Sequence, residues 1–403
     1  MKISKLDPWV RDTENLRTLG HGGIRRLQLE KLNALLARER ARGGFYAGLP
    51  ASLPSLDAMA GLPFTTAADL AAHGGGMVMV SQSEIQRVLT DVTSGTSGEA
   101  KRVFYTPGDC ENTVSFFAAG LSEMVFPGSR TLICMPFSGP YGLGELISAA
   151  IESLGAAPLR AGVGRTYGEL RELMETARPD TYVGMPAHLL AMLKVCGKGT
   201  LRRALVSGDA CAGPVSVAIE KRLGTRLFPH YGSREMGLGG AVTCPAHEGM
   251  HLRENHVIAE IVDGDGKVLP DGEYGELVIT TVGLEAMPLI RYRTGDRTRI
   301  LKEPCPCGSR LRRIDGVQRN AGGPDIVALD KVLLDRDDVA DFKAEIRNGV
   351  LSIDALTLGA PDEDALKKAA AAALTGLEVR VSARPCADAD MPLYPGKRKI
   401  AGA

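Results

Sequence analysis

The sequence predicts an α/β protein: a largely parallel sheet covered by helices, a smaller antiparallel region, and a separate C-terminal α+β segment. Three observations carry this reading. From about residue 88, short apolar runs alternate with amphipathic ones. After about residue 256 the pattern shortens to that of hairpin strands, and the chain beyond 320 carries its own helix and strand.

Taken in order, residues 24–42 place Ile24, Leu27, Leu32, Leu35 and Leu36 near one face of a helix that ends at Gly43-Gly44. A threonine in Leu62-Pro-Phe-Thr-Thr offers the N-cap of a second, short helix. Strand-like runs fall at 88–92, 130–135, 181–185, 204–207 and 226–229. Helix-like runs fall between them, near 109–124, 143–154, 166–177, 186–196 and 214–223. Alternation of this kind is the pattern of a parallel sheet buried on both faces. Residues 257–262 and 275–281 read as antiparallel strands, with a turn at Asp263-Gly-Asp-Gly266. Residues 362–374 read as a helix and 378–382 as a strand. The predicted domains are 1–319 and 320–403.

Composition narrows the function. Lys+Arg and Asp+Glu are both 48, so the net charge is +0, which argues against nucleic-acid or anionic-membrane binding by a bulk basic field. Aromatics are 5%, too few for stacking platforms. The N-terminus has no apolar signal-like core and the chain no apolar run of spanning length, so a soluble, cytoplasmic protein is expected. Its 8 cysteines are too sparse and uneven for a disulfide scaffold.

Thr93-Ser-Gly-Thr-Ser-Gly-Glu-Ala-Lys101 follows an apolar strand. Its glycines and hydroxyls let backbone N–H groups converge on an anion, and Lys101 closes the loop with a positive charge. The loop lacks the Gly-Lys-Ser/Thr ending of a Walker sequence, which disfavours an ordinary P-loop kinase or GTPase. Further on stand His230-Tyr-Gly-Ser-Arg-Glu-Met-Gly237 and Arg291-Tyr-Arg-Thr-Gly-Asp296.

In order and spacing, these three segments resemble the adenylate-forming enzymes. The phenylacetate–CoA ligase branch is suggested by Gln28-Leu-Glu-Lys-Leu, Leu62-Pro-Phe-Thr-Thr, Leu252-Arg-Glu-Asn-His256, Pro288-Leu-Ile-Arg-Tyr and Cys305-Pro-Cys-Gly. The resemblance runs from near residue 20 to about 319 and more faintly to the end. It implies a large N-terminal adenylate-forming domain with a small C-terminal lid. It also implies ATP-dependent activation of a carboxylic acid to an acyl-adenylate, with transfer to coenzyme A.

Carried over residue by residue, Ser94, Gly95, Thr96, Ser97, Gly98 and Lys101 resemble the loop that holds the β- and γ-phosphates of ATP. Glu99 is a departure that puts a negative charge beside that loop. Tyr231, Gly232 and Ser233 resemble the segment lining the adenine and touching the α-phosphate, and Gly208 and Asp209 the backbone on the adenine face. Glu235 is placed like the Mg²⁺-binding carboxylate, and a hard oxygen ligand beside phosphates suits that ion. Asp296 resembles the carboxylate that accepts the ribose hydroxyls. Lys397 resembles the lysine that stabilises the adenylation transition state, with Lys399 as rival. Arg319 is retained where the family hinge stands, without its paired aspartates. Acyl transfer to a protein thiol, and a nucleotide binder with degenerate activity, are the alternatives. A homodimer is suggested only by the resemblance.

Cys244, His251, Cys305 and Cys307 form a Cys₃His set suited to tetrahedral Zn²⁺, with His247 as substitute for His251. Four protein ligands leave no open position, so the expected site is structural. The remaining five cysteines read as packing thiols. For the acyl pocket, Phe137, Tyr141, Met185 and Met236 offer apolar lining; core packing is the alternative for each, and for the two methionines it accounts for them at least as well. The run 237–240 is expected to leave room beside the adenylate for an aromatic or medium acyl group.

Overall fold

The computed structural model describes residues 3–92, 100–319, 324–394 and 396–402. The chain divides into two compact units, Met1–Glu123 with His230–Asn320, and Met124–Pro229 with Ala321–Ala403. No helix among the described residues is long and apolar enough to cross a membrane.

In the first unit, helix His21–Arg42 buries Ile24, Gln28, Leu32, Leu35 and Leu36. It ends at Gly43, whose φ of 71° supplies the left-handed cap that only glycine adopts cheaply. The amide nitrogen of buried Gln28 donates to the Glu254 carbonyl at 2.8 Å. Helix Ala67–His73 starts at a capping box between Thr66 and Asp69. Thr106 and Asp109 repeat the device ahead of helix Pro107–Leu121.

One expectation fails here. The run at 88–92 is not part of the parallel sheet: Arg87–Val92 pairs antiparallel with Ala100–Tyr105 as a separate two-stranded ribbon. Positions 87–90 alternate between half-buried and exposed, and Val88 is 44% exposed. A strand of a parallel sheet would be covered on both faces.

The antiparallel region forms as expected. Strands Val257–Val262, Gly275–Thr281, Tyr292–Thr298 and Gln318–Arg319 lie side by side in that order. A second antiparallel set joins the end of strand Phe228–Tyr231 to Ala241–Val242, then Met250–Leu252, then Arg313–Ile314.

At Gly239 and Gly240 the space beside the backbone is filled, where open room is expected. A Cβ on Gly239 would overlap the Phe116 ring, and one on Gly240 would overlap the Met236 sulfur. These glycines let core side chains approach the backbone, and Met236 is itself 1% exposed. Gly239→Ala is therefore expected to destabilise the protein by about 1–3 kcal/mol through overpacking, read as a lower urea midpoint. An unchanged midpoint would show that Phe116 can swing aside.

The second unit holds the parallel sheet. Its strands run in the order Phe228–Tyr231, Arg203–Val206, Thr181–Gly184, Arg130–Cys134, Ala157–Arg160, all parallel. Helices Leu143–Ser153, Tyr167–Ala177, Pro186–Val195 and Gly213–Leu223 alternate with them. The C-terminal segment adds helix Ile326–Leu333 and the strands Val339–Arg347, Val350–Thr357 and Glu378–Pro385, the last reached through helix Glu363–Ala373. A continuous apolar core runs from Leu132 and Tyr182 through Leu189, Ile219 and Leu329 to Phe342 and Leu351. The C-terminal segment thus shares its core with residues 124–229 of the same unit.

Candidate active site

The glycine-rich loop residues Ser94, Gly95, Thr96, Ser97 and Gly98 lie outside the described residues. The ribbon that flanks them is in place, and it puts Lys101 at the start of strand Ala100–Tyr105, opposite Asp91. The Lys101 Nζ donates to Glu235 Oε1 at 3.1 Å, with both side chains largely buried. Glu235 sits on the 3₁₀ turn Arg234–Met236 that follows Tyr231-Gly232-Ser233. That turn is anchored from the same ribbon, since the Tyr105 hydroxyl donates to the Arg234 carbonyl.

Burial, the largest single influence, would push Glu235 up, but the Lys101 ammonium and the hydrogen bonds to the carboxylate together outweigh it and hold the carboxyl below its ordinary range. The Tyr292 hydroxyl donates to the same oxygen at 3.3 Å. An ionised, hydrogen-bonded carboxylate in a nearly dry pocket is the kind of hard oxygen donor that Mg²⁺ takes beside phosphates.

Asp296 lies on strand Tyr292–Thr298, and the Tyr231 hydroxyl donates to its Oδ2 at 2.7 Å. Backbone pairing sets Asp296 directly opposite Arg319. A Cβ on Gly232 would overlap the Leu238 carbonyl, so only glycine fits this point of the turn. Lys101, Glu235 and Tyr292 thus form one hydrogen-bonded group and Tyr231 and Asp296 a second, both within the first unit. Tyr292 was not singled out in the sequence; its place at the head of the Tyr-x-Thr-Gly-Asp segment was the available signal.

Gly208, Asp209 and Lys397 belong to the second unit. Gly208 adopts φ 84°. The Asp209 carboxylate accepts the Arg398 N–H at 2.7 Å and the Ala210 N–H at 2.9 Å. Lys397 and Lys399 are both exposed, on either side of a buried Arg398. Among the pocket candidates of this unit, Phe137 is half-buried under the Arg160 guanidinium at 4.6 Å, and Met185 is buried. His188, on the same turn as Met185, is pulled down to about 4 by burial, and Tyr182 lies 3.2 Å from its Nδ1.

The cysteine–histidine set converges in the first unit. Ligand atoms of Cys244, His251, Cys305 and Cys307 all lie within 4.8 Å of one another, and all four residues are buried. The Cys244 and Cys305 sulfurs are 3.7 Å apart, and Cys307 Sγ is 3.5 Å from His251 Nε2. Tetrahedral zinc with Zn–S of about 2.3 Å and Zn–N of about 2.0–2.1 Å sets S···S near 3.8 Å and S···N near 3.6 Å. The separations therefore fit that ion.

The other His251 nitrogen faces the Leu311 carbonyl at 3.2 Å, which orients Nε2 toward the sulfurs. The N–H groups of Ala246 and Ser309 each donate to a sulfur at 3.4 Å. Burial pushes the Cys307 thiol up, but the contacts from His251 and the Ser309 N–H outweigh it and bring it down to about 6. His251 is the histidine that the fold supplies; His247 lies outside the group.

Comparison with known proteins identifies relatives of the chain. The AMP-binding enzyme profile matches residues 82–286. The chain is 30% identical over 314 residues to phenylacetate–coenzyme A ligase of Thermus thermophilus, spanning 73% of this chain and 69% of that protein. It is 31% identical over 326 residues to the enzyme of the same name from Aromatoleum evansii, spanning 76% and 73%. Among solved structures, 2-hydroxyisobutyryl-CoA ligase in its postadenylation state superposes with a TM-score of 0.76 at 20% identity. That match covers 94% of this chain and 90% of the other.

Proposed function

Because this chain belongs to the AMP-binding enzyme family, in its phenylacetate–CoA ligase branch, we propose that it activates a carboxylic acid with ATP and passes the acyl group to coenzyme A. The observation that carries the chemistry is the buried Lys101–Glu235 pair, joined by Tyr292, next to the Tyr231–Asp296 pair. In the first step a carboxylate oxygen of the acid attacks the α-phosphorus of ATP. The bond to the β-phosphate oxygen breaks, and pyrophosphate leaves. In the second step the sulfur of coenzyme A attacks the acyl carbonyl, AMP leaves as an anion, and the thiol proton goes to solvent.

The protein's part in the first step is positioning and charge neutralisation. Asp296 accepts the ribose hydroxyls, and its hydrogen bond from Tyr231 fixes the carboxylate plane. Lys101 lies at the end of the phosphate loop. Glu235 would hold Mg²⁺, which when bound neutralises phosphate charge. Gly208 and Asp209 line the adenine, and Lys397 meets the negative charge that develops at the α-phosphate. An aromatic or medium acyl acid is the proposed substrate class, in keeping with the phenylacetate named for the relatives. The Cys244, His251, Cys305 and Cys307 group takes a structural Zn²⁺, since four protein ligands leave no position for substrate.

The test is pyrophosphate release and coenzyme A consumption across a panel of carboxylic acids led by phenylacetate. At least one acid is expected to drive both. Release without consumption of coenzyme A would assign a different acceptor, and no release with any acid would reject the reading.

A further inference from the structure

The C-terminal tail is fastened by a residue that lies between its two lysines. Arg398 is 3% exposed. Its Nε and Nη2 donate to Asp330 Oδ1 at 3.2 and 3.0 Å, and its Nη1 donates to Asp341 Oδ1 at 2.9 Å. A third acceptor, the Phe342 carbonyl, lies 3.3 Å from Nη2. The guanidinium also stands over the rings of Phe342 and Tyr394, at 4.5 and 4.7 Å. Asp341 uses its second oxygen to accept the Leu393 N–H at 2.7 Å, which holds the near side of the tail. On the far side, the Ile346 N–H donates to Ala401 and the Ala401 N–H to Ala344, at 2.8 and 3.0 Å.

The main chain of the same residue points elsewhere. The Arg398 N–H donates to Asp209 Oδ2 at 2.7 Å. Asp209 follows Gly208 at the end of a parallel strand, in the segment assigned to the adenine face. One residue thus ties the tail by its side chain to the C-terminal sheet and helix, and by its backbone to the nucleotide segment. All of these contacts lie inside one compact unit. The rigid fork of arginine suits two acceptors in fixed places, which a lysine cannot match.

We propose that Arg398, held by Asp330, Asp341 and Asp209, is a positioning residue that fixes the backbone of Lys397 for the adenylation step. This rests on the reading of the chain as an acid–coenzyme A ligase. The two steps separate the role from mere stability. A cation at the α-phosphate is needed while pyrophosphate leaves, whereas thiol attack on a finished acyl-adenylate develops its charge at the acyl carbonyl. A misplaced Lys397 therefore slows the first step and spares the second.

Two measurements test this on the full chain. The first reads the clasp alone: limited trypsin digestion, which cuts after Lys397, Arg398 or Lys399 if the tail is loose. Wild type is expected to resist, and the Asp330→Asn/Asp341→Asn variant to be cut. Cutting of both at one rate would overturn the clasp. The second uses phenylacetate as the probe acid and phenylacetyl-adenylate as the supplied intermediate. Arg398→Met is expected to lose about 100-fold in ATP–pyrophosphate exchange, the cost of a misplaced group near 1 Å, with transfer from the adenylate to coenzyme A unchanged. The Arg398→Met/Asp330→Asn/Asp341→Asn variant removes all three buried charges, and the same split is expected if Arg398→Met alone does not fold. Equal loss of both steps would reduce Arg398 to a structural role. A trypsin-resistant wild type that exchanges no pyrophosphate would leave a clasp without a catalytic purpose, and would overturn the positioning role through the reading it rests on.

Discussion

Replacing Lys397 by alanine is expected to slow acid-dependent pyrophosphate release by about 10²–10³-fold, the usual cost of deleting one group aimed at transition-state charge. The effect should fall on kcat, with KM for ATP little changed, because the charge it meets appears only as pyrophosphate leaves. Lys397 is exposed, yet its backbone is not loose: Arg398 and Ile400 are 3% and 5% exposed on its C-terminal side. That combination suits a side chain that must reach a ligand from a fixed base. Lys399 is exposed too, but its carbonyl is taken by the Tyr394 hydroxyl. Lys399→Ala is accordingly expected to keep near-normal release. If it is the variant that fails, the role passes to Lys399, and if neither fails the tail has no part in adenylation.

The second large effect is expected at the cysteine–histidine group. Purified protein should carry about one zinc per chain, and Cys307→Ser should lose it. In isolated zinc fingers such a site contributes about 10–16 kcal/mol of apparent binding free energy at neutral pH. Here the loss should be smaller, because strands Met250–Leu252 and Arg313–Ile314 pair directly and hold part of the site without metal. A chelator should still lower the thermal midpoint of wild type and leave that of Cys307→Ser unmoved. The site links Cys244, just after strand Ala241–Val242, to the Cys305–Cys307 turn. Its loss would thus loosen strand Ala241–Val242, which pairs with His230 and Tyr231, and reach activity indirectly. A metal-free wild type with an unchanged midpoint would reduce the four residues to buried packing.

Much of the site was readable because its chemistry is local. Tyr231, Gly232, Ser233 and Glu235 fall within one short stretch, and Asp296 within one strand, so their spacing alone marks them as candidates. Cys305 and Cys307 are likewise neighbours, and the hairpins bring Cys244 and His251 to them as their sequence separation allowed. The fold was readable where periodicity is strong, as in helix His21–Arg42 and the antiparallel pair Val257–Val262 and Gly275–Thr281.

It was misread where a strand is half-exposed. Arg87–Val92 looks like the first strand of the parallel run but, among the described residues, pairs with Ala100–Tyr105 alone. The C-terminal hairpin Val339–Arg347 and Val350–Thr357 was missed, although Asn348-Gly349 with φ of 49° and 77° is the turn that such a hairpin prefers. The glycines at 239 and 240 read as open space and are filled by Phe116 and Met236, a fact no local pattern contains.

The sequence by itself determined a parallel α/β region followed by antiparallel strands, the family, the order of its motif segments and the composition of the cysteine–histidine group. Those features repeat over a few residues, or sit at spacings that chain geometry dictates. Only the tertiary structure decided which charges meet. Lys101 finds Glu235 across 134 positions, Tyr231 finds Asp296 across 65, and Arg398 closes on Asp330 and Asp341 across 68 and 57. Pairing at such distances depends on which strands and helices share a core, and buried charges persist only where that packing supplies a partner.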